Sequence, residues 1–106
     1  MADTDHKRML ELAAKAAGYE YAKHGGYIVV DGIPGNWNPL TDDGDALRLA
    51  VKLKIDILQR IAEPRVAAVA AMHSPKIESV PDEGLRLSVT RTVIVRAAAA
   101  IGEKMP

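Results

Sequence analysis

The chain contains no cysteine, which excludes disulfide bonds, thiolate metal sites and a cysteine nucleophile. This absence is typical of proteins in a reducing cytosol. Phenylalanine is also absent and aromatic residues make up only 4% of the chain, so the core must be built from small aliphatic side chains. No apolar run approaches the roughly 18 residues of a membrane-spanning helix, and the first residues lack a signal-peptide segment. We therefore expect a soluble cytoplasmic protein without a membrane partner.

The chain also carries no net charge, because 14 basic residues balance 14 acidic ones. Overall charge therefore does not drive binding to nucleic acid or to a membrane surface. At 106 residues the chain is long enough for one domain that buries about two-thirds of its unfolded surface. We predict a single domain over residues 1–106, with a mobile tail at residues 103–106.

Motifs that carry catalytic chemistry are missing as well. The three histidines lie far apart, with no pair at metal-ligand spacing on one element, and no serine lies in a Gly-x-Ser-x-Gly context. Residues 32–35 lack the Gly-Lys-Ser/Thr ending of a phosphate-binding loop. We predict no enzymatic activity, no metal and no cofactor.

The stretch of residues that begins at Trp37, the only tryptophan, organises the rest of the sequence. Asn38-Pro39 prevents any preceding helix from continuing. Thr41 or Asp42 is placed to cap a new helix, and three aspartates near its first turn interact favourably with the helix dipole. Apolar residues then recur at helical spacing and predict a buried face: Ala46, Leu49, Ala50 and Leu53, widened by Leu47 and Val51.

Two features of this stretch have a structural and a functional interpretation. Asp42 and Asp43 belong to an acidic cluster that suggests a cation site. An EF-hand loop counted from Asp43, however, would have Leu47 at its fifth position and Lys54 at its twelfth, where oxygen ligands are needed. We therefore favour helix capping over metal binding. For Trp37 we favour an apolar anchor at the rim of the core over a ligand-stacking role.

The segment before Trp37 predicts a helix and a hairpin. The helix runs to about Ala17, with Gly18 placed to end it. Residues 19–24 and 27–30 read as two strands joined by a tight turn at Gly25-Gly26. Residues 31–36 are rich in turn formers and predict a loop.

The segment after the central helix predicts further strands and a last helix. Residues 55–61 alternate between apolar and polar and predict a strand. Residues 66–72 are ambiguous between helix and strand, because alanine favours helix but seven residues between two prolines are short for one. We predict a strand that pairs antiparallel with residues 55–61, and a short edge strand at residues 76–80. The last segment is ambiguous, since residues 85–93 alternate like a strand whereas the alanine-rich residues after them favour helix. The pattern alone starts this helix near Ser88 and stops it at Gly102.

Two segments resemble small proteins of tailed phages and prophages, the group known as the phage ABA-sandwich type. They are residues 37–53, which read Trp-Asn-Pro-Leu-Thr-Asp-Asp-Gly-Asp before the helical pattern, and residues 90–102, with Thr-Arg, Ile-Val-Arg-Ala-Ala-Ala and Ile-Gly. The first helix fits the same pattern, whereas residues 54–87 do not match. Where relatives often carry arginine and glutamate, this chain has Thr92 and Ala100.

The resemblance implies a fold but no activity. It agrees with the element order α-β-β-α-β-β(-β)-α and favours helix for the last segment. The predicted fold is α+β, a layered α/β/α sandwich in which a central, mostly antiparallel sheet of four to five strands carries three helices on both faces. It also implies the cytoplasm of a bacterial host as the location.

Three functions are compatible with these observations. The first is a non-enzymatic module that binds a host or phage protein, with aromatic residues such as Trp37, Tyr19 and Tyr27 at the interface. The second is a nucleic-acid-binding accessory protein that uses Arg91 and Arg96, although these lie about 140° apart around a helix and no base-stacking aromatics accompany them. The third is a self-associating protein, such as a homodimer. The candidate interaction residues are Trp37, Asn38, Pro39, Asp42, Asp43, Arg91 and Arg96.

Overall fold

A computed structural model describes residues 2–21, 28–30 and 33–106. The helices are α1 (Ala2–Ala17), α2 (Asp43–Leu53) and α3 (Arg86–Lys104), and α3 is preceded by a 3₁₀ turn at Glu83–Leu85. One antiparallel sheet contains β1 (Glu20–Tyr21), β2 (Ile28–Val30) and β3 (Ile33–Gly35). A second contains β4 (Asp56–Arg60), β5 (Arg65–Val69) and β6 (Lys76–Ser79). The predicted α+β class is confirmed.

The prediction of one sheet with four to five strands is wrong. The described strands form two three-stranded antiparallel sheets, and α2 separates them along the chain. Part of the predicted loop at residues 31–36 is the edge strand β3, which pairs with β2. Proline and glycine are depleted in strands, so Pro34-Gly35 concealed β3 in the sequence. An edge strand tolerates proline because only one of its sides pairs with a neighbour, so the missing backbone N–H is not needed there.

The prediction of helices on both faces is also wrong for the β4–β6 sheet. Helix α3 packs on the face that carries Val66 and Ala68, both 0% exposed. Leu58 and Ile77 point from the opposite face and are each 50% exposed. In the described part of the chain, α1 packs mainly against α3 rather than against this sheet. The three helices are therefore stacked on one side of it.

The central helix begins as predicted. Asp42 is its N-cap, and its carboxylate accepts a 2.8 Å hydrogen bond from the backbone N–H of Asp45. Leu49 is fully buried in the main core, which confirms the predicted inner face. Leu47 and Val51 are 60% and 68% exposed, so the buried stripe is narrower than predicted.

The last segment is a helix, as favoured by the resemblance, but both of its predicted ends differ. It begins at Arg86 rather than near Ser88, because the 3₁₀ turn before it already supplies helical backbone. Gly102 does not end it. A β-carbon built at Gly102 would lie 2.0 Å from the carbonyl oxygen of Leu12, so this glycine permits close contact with α1 and the helix continues to Lys104. Residues 103–104 of the predicted tail thus form the last turn of α3.

Other local predictions are confirmed. Gly18 has a φ of +78°, the left-handed conformation expected just after α1. Strands β4 and β6 occur where they were predicted, whereas β5 begins at Arg65 rather than at residue 66 and ends at Val69 rather than at residue 72. The three strands pair antiparallel in the order β4-β5-β6. Strands β1 and β2 also pair antiparallel, although the predicted Gly25-Gly26 turn between them lies outside the described residues.

No helix among the described residues combines the length and the apolar character that crossing a membrane requires.

Candidate functional site

Arg91 connects two segments that are distant in sequence, residues 37–53 and residues 90–102. Its Nε donates a 2.9 Å hydrogen bond to the carbonyl oxygen of Leu40, and its Nη1 lies 2.5 Å from the carboxylate of Asp43. The Arg91 side chain is only 19% exposed. The guanidinium therefore ties α3 to the segment that starts α2, and its first role is structural.

Asn38 and Pro39 shape the backbone ahead of α2. The backbone N–H of Asn38 donates to the carboxylate of Asp45 at 3.0 Å, and the Asn38 side-chain oxygen accepts from the N–H of Leu40 at 3.0 Å. Pro39 is among the fully buried side chains. These contacts satisfy backbone donors in a turn that has no secondary-structure partners of its own.

Trp37 lies half-buried at the edge of the main core. Its ring meets Tyr19 edge to face, with the ring centres 5.6 Å apart and the planes at 83°. The ammonium group of Lys52 lies 4.9 Å from the centre of the Tyr19 ring. This geometry fits the favoured interpretation of Trp37 as an apolar anchor. Tyr27, the third aromatic candidate, lies outside the described residues.

The aspartates around the start of α2 are engaged within the chain. Asp42 caps the helix, Asp43 pairs with Arg91, and Asp45 lies 2.8 Å from the Arg48 guanidinium. The hydrogen bond to Asp45 raises the pKa of Arg48. Across the described residues, no group of three or more histidine, aspartate or glutamate side chains is arranged to hold a metal ion.

Arg96 lies apart from Arg91. It forms an ion pair with Glu78, so it ties α3 to the edge strand β6, whereas Arg91 ties α3 to α2. The structure thus does not bring the two arginines into one basic patch. Each has an acidic partner on a different neighbouring element.

Arg86 is the first residue of α3 and secures the start of this helix to β4. Its guanidinium donates to both carboxylate oxygens of Glu83, at 2.8 and 2.7 Å, and to the side-chain oxygen of Gln59 at 2.8 Å. It also reaches the carbonyl oxygen of Arg60 at 3.0 Å. The hydrogen bonds between Arg86 and Glu83 lower the pKa of Glu83 and raise the pKa of Arg86.

The structure reveals a candidate surface that the sequence analysis missed. It is the uncovered side of the β4–β6 sheet, which we call the open face. Its middle is an apolar row of residues in direct cross-strand register, Leu58, Ala67 and Ile77. A shallow depression of ≈ 230 Å³ lies over this row and is lined by Leu58, Arg60, Arg65, Ala67, Val69, Pro75 and Ile77.

Charges of opposite sign flank the apolar row. At one end Arg60 lies directly opposite Arg65 in the register, and Arg65 pairs with Glu63 at 2.6 Å. At the other end Asp56 lies opposite Val69. Within the described part of the chain, neither Asp56 nor Arg60 has an ion-pair partner. The open face is therefore apolar in the middle, basic at one end and acidic at the other.

The sequence contained a signal for this surface. The alternation in residues 55–61 separated Leu58 from Ile57, which packs against the core. Alternation shows which residues share a face but not whether another element covers that face. The expected sandwich with helices on both sides concealed the exposure of Leu58.

Comparison of the chain with protein-family models, with curated proteins and with solved structures finds no match. The structure alone therefore directs attention to the open face.

Proposed function

We propose that this chain is a small non-enzymatic module that binds another protein through the open face. The observation that carries the proposal is the exposure of Leu58 and Ile77, each 50% accessible on a sheet face that no described helix covers. Apolar side chains clustered on one surface and rimmed by charge are typical of protein-protein interaction sites.

The engagement of the other candidate residues supports this choice. Asp42, Asp43 and Arg91 hold the start of α2 in place, and Arg96 holds β6. These contacts stabilise the fold, so we do not assign a binding role to these four residues. We assign the binding role to the open face instead. A binding surface requires shape and apolar area rather than a catalytic arrangement.

The proposal includes a phage or prophage origin and action in the cytoplasm of a bacterial host. It is supported by the resemblance of residues 37–53 and 90–102 to phage ABA-sandwich proteins. Their contact through Arg91 gives these two distant segments a shared structural role.

Nucleic-acid binding is not the function we propose. Arg91 and Arg96 would have to release Asp43 and Glu78 to contact phosphates, and they face different elements. Phosphate contacts gain affinity by releasing counterions, and an arginine already paired within the protein contributes less to this gain. A filter-binding titration at two salt concentrations tests the alternative. Retention of nucleic acid at low salt that falls steeply with added salt would replace our proposal.

Affinity capture from host lysate with matched variants tests the proposed surface. We expect proteins captured by the native chain to be lost with Leu58→Asn and retained with Leu47→Asn. Leu47 is the matched control because it is also an exposed leucine, 60% accessible, but lies on α2. The proposed surface would be wrong if Leu58→Asn left capture unchanged.

A further inference from the structure

We infer that the open face binds a second copy of this chain, forming a two-fold symmetric dimer in which the β4–β6 sheets pack face to face. The inference rests on the function proposed above and names the partner. Its basis is the distribution of charge on the open face, which is complementary to itself.

The complementarity follows from the strand register. Residues 56, 58 and 60 of β4 alternate onto the same side of the sheet, so Asp56 and Arg60 flank Leu58 on the open face. Arg60 lies beside Arg65, and two like charges directly opposite each other on neighbouring strands are unfavourable. Glu63 offsets only Arg65 within the chain. A carboxylate supplied from outside would relieve the remaining repulsion at Arg60.

Two aligned sheets that pack face to face are related by a two-fold axis in the plane between them. This axis can run across the strands or along them, and the charges select one of these arrangements. With the axis running across the strands, the strand directions are opposed and Arg60 of each copy lies over Asp56 of the other. Leu58 then lies over Leu58, on the axis. With the axis parallel to the strands, the Arg60-Arg65 end of one copy lies over the same end of the other. The first arrangement pairs opposite charges, and the second places like charges together.

The size of the surface predicts a weak dimer. Three strands of up to five residues cover a footprint of about 14 by 17 Å, well below the roughly 800 Å² per partner of a standard stable interface. We therefore expect dissociation constants from about 10 μM to about 1 mM.

Sedimentation equilibrium from about 10 μM to about 2 mM tests the inference. The native chain should shift from monomer to dimer within this range. Leu58→Asn should weaken the dimer about tenfold or more, because it removes the central apolar contact, whereas Leu47→Asn should not.

Charge reversal tests the orientation of the two copies. Arg60→Asp and Asp56→Arg should each weaken self-association about threefold to tenfold, because each places like charges together in the dimer. An equimolar mixture of the two variants should restore association, since the carboxylate introduced in one variant then faces the guanidinium introduced in the other. The double variant, Asp56→Arg with Arg60→Asp, should also restore it. Circular dichroism confirms that each variant is folded.

The possible failures are distinguishable. A chain that stays monomeric to about 2 mM overturns the second copy as partner, as does a dimer that Leu58→Asn leaves intact. Dimerisation without rescue in the mixture overturns the proposed orientation. A monomer that still captures a lysate protein in a Leu58-dependent way overturns the dimer but supports the proposed function. A monomer without such capture overturns both.

Discussion

Gly102 lies so close to Leu12 that a β-carbon on the glycine would be 2.0 Å from the leucine's carbonyl oxygen. Helices α1 and α3 are thus in backbone contact at this point. The adjoining core is rich in buried alanines from both helices: Ala13, Ala17, Ala97 and Ala98. Small side chains compensate for the absence of phenylalanine, because they let the helices pack tightly without large side chains to fill the space.

Gly102→Ala should destabilise the protein by about 2 kcal/mol, because the overpacking outweighs the roughly 1 kcal/mol gained in helix propensity. The free energy of unfolding in urea measures the effect. Gly44→Ala is the matched control within a helix, since its β-carbon would meet the movable guanidinium of Arg48, at 3.1 Å. This control should be neutral or stabilising by up to about 1 kcal/mol. Equal effects of both substitutions would contradict the close contact.

Leu49→Ala should cost about 2–5 kcal/mol, whereas Leu47→Ala should cost less than about 0.5 kcal/mol. Both residues are on α2, but Leu49 is 0% exposed and Leu47 is 60% exposed. The helix propensity change is the same in both, so the difference reports burial alone. Chemical denaturation of the two variants measures it. A Leu47→Ala variant as unstable as Leu49→Ala would refute the orientation of the helix.

Arg91→Lys should destabilise the fold by about 1–3 kcal/mol, because an ammonium group cannot reproduce the paired contacts with Leu40 and Asp43. Arg48→Lys is the control, since the Arg48 side chain is 69% exposed. That substitution should cost less than about 0.5 kcal/mol. Thermal and urea unfolding compare the two. A loss of stability for Arg48→Lys as large as for Arg91→Lys would contradict the structural role of the Arg91 contacts with Leu40 and Asp43.

Glu83 should make folding sensitive to acid. The hydrogen bond from Arg86 lowers the pKa of Glu83 from its ordinary value of 4.5 in the folded state. The contribution to stability is therefore present above pH 4.5 and is lost as the pH falls through the lowered folded-state pKa. Glu83→Gln should be less stable than the native chain at pH 7, and the gap should shrink as the pH falls below 4.5. Urea unfolding across this range measures it.

The same substitution in a chain that lacks the Arg86 guanidinium checks the cause of this pH dependence. In an Arg86→Met chain, Glu83→Gln should no longer change the slope of stability with pH, because the partner that lowers the pKa is gone. A slope that persists there would assign the effect to another group.

The parts of the fold that the sequence predicted depend on local signals. Pro39 and the Asp42 cap predicted where α2 begins, because both act within a few residues. Alternation predicted β4 for the same reason, and the short length of the segment between two prolines favoured a strand for β5. The resemblance to phage proteins was needed to favour helix for the last segment, where strand and helix patterns competed.

The parts that it did not predict depend on contacts between distant residues. A glycine near the end of an apolar pattern looks the same whether it terminates a helix or contacts a neighbour, so Gly102 was misread. The open face was missed because the pattern around Leu58 does not reveal whether a helix covers it. Arg91 and Arg96 were grouped by proximity in sequence, but their acidic partners lie on α2 and β6.

The packing of α1 on α3 has a consequence for the rate of folding. The two helices flank every described strand and α2 in the sequence, so their contact closes a long loop. An isolated helix of this length is marginally stable in water, so α1 is secured only when α3 docks on it. Because contacts between residues that are distant in sequence form slowly, we expect slower folding than in a helical bundle whose packed helices are neighbours in sequence.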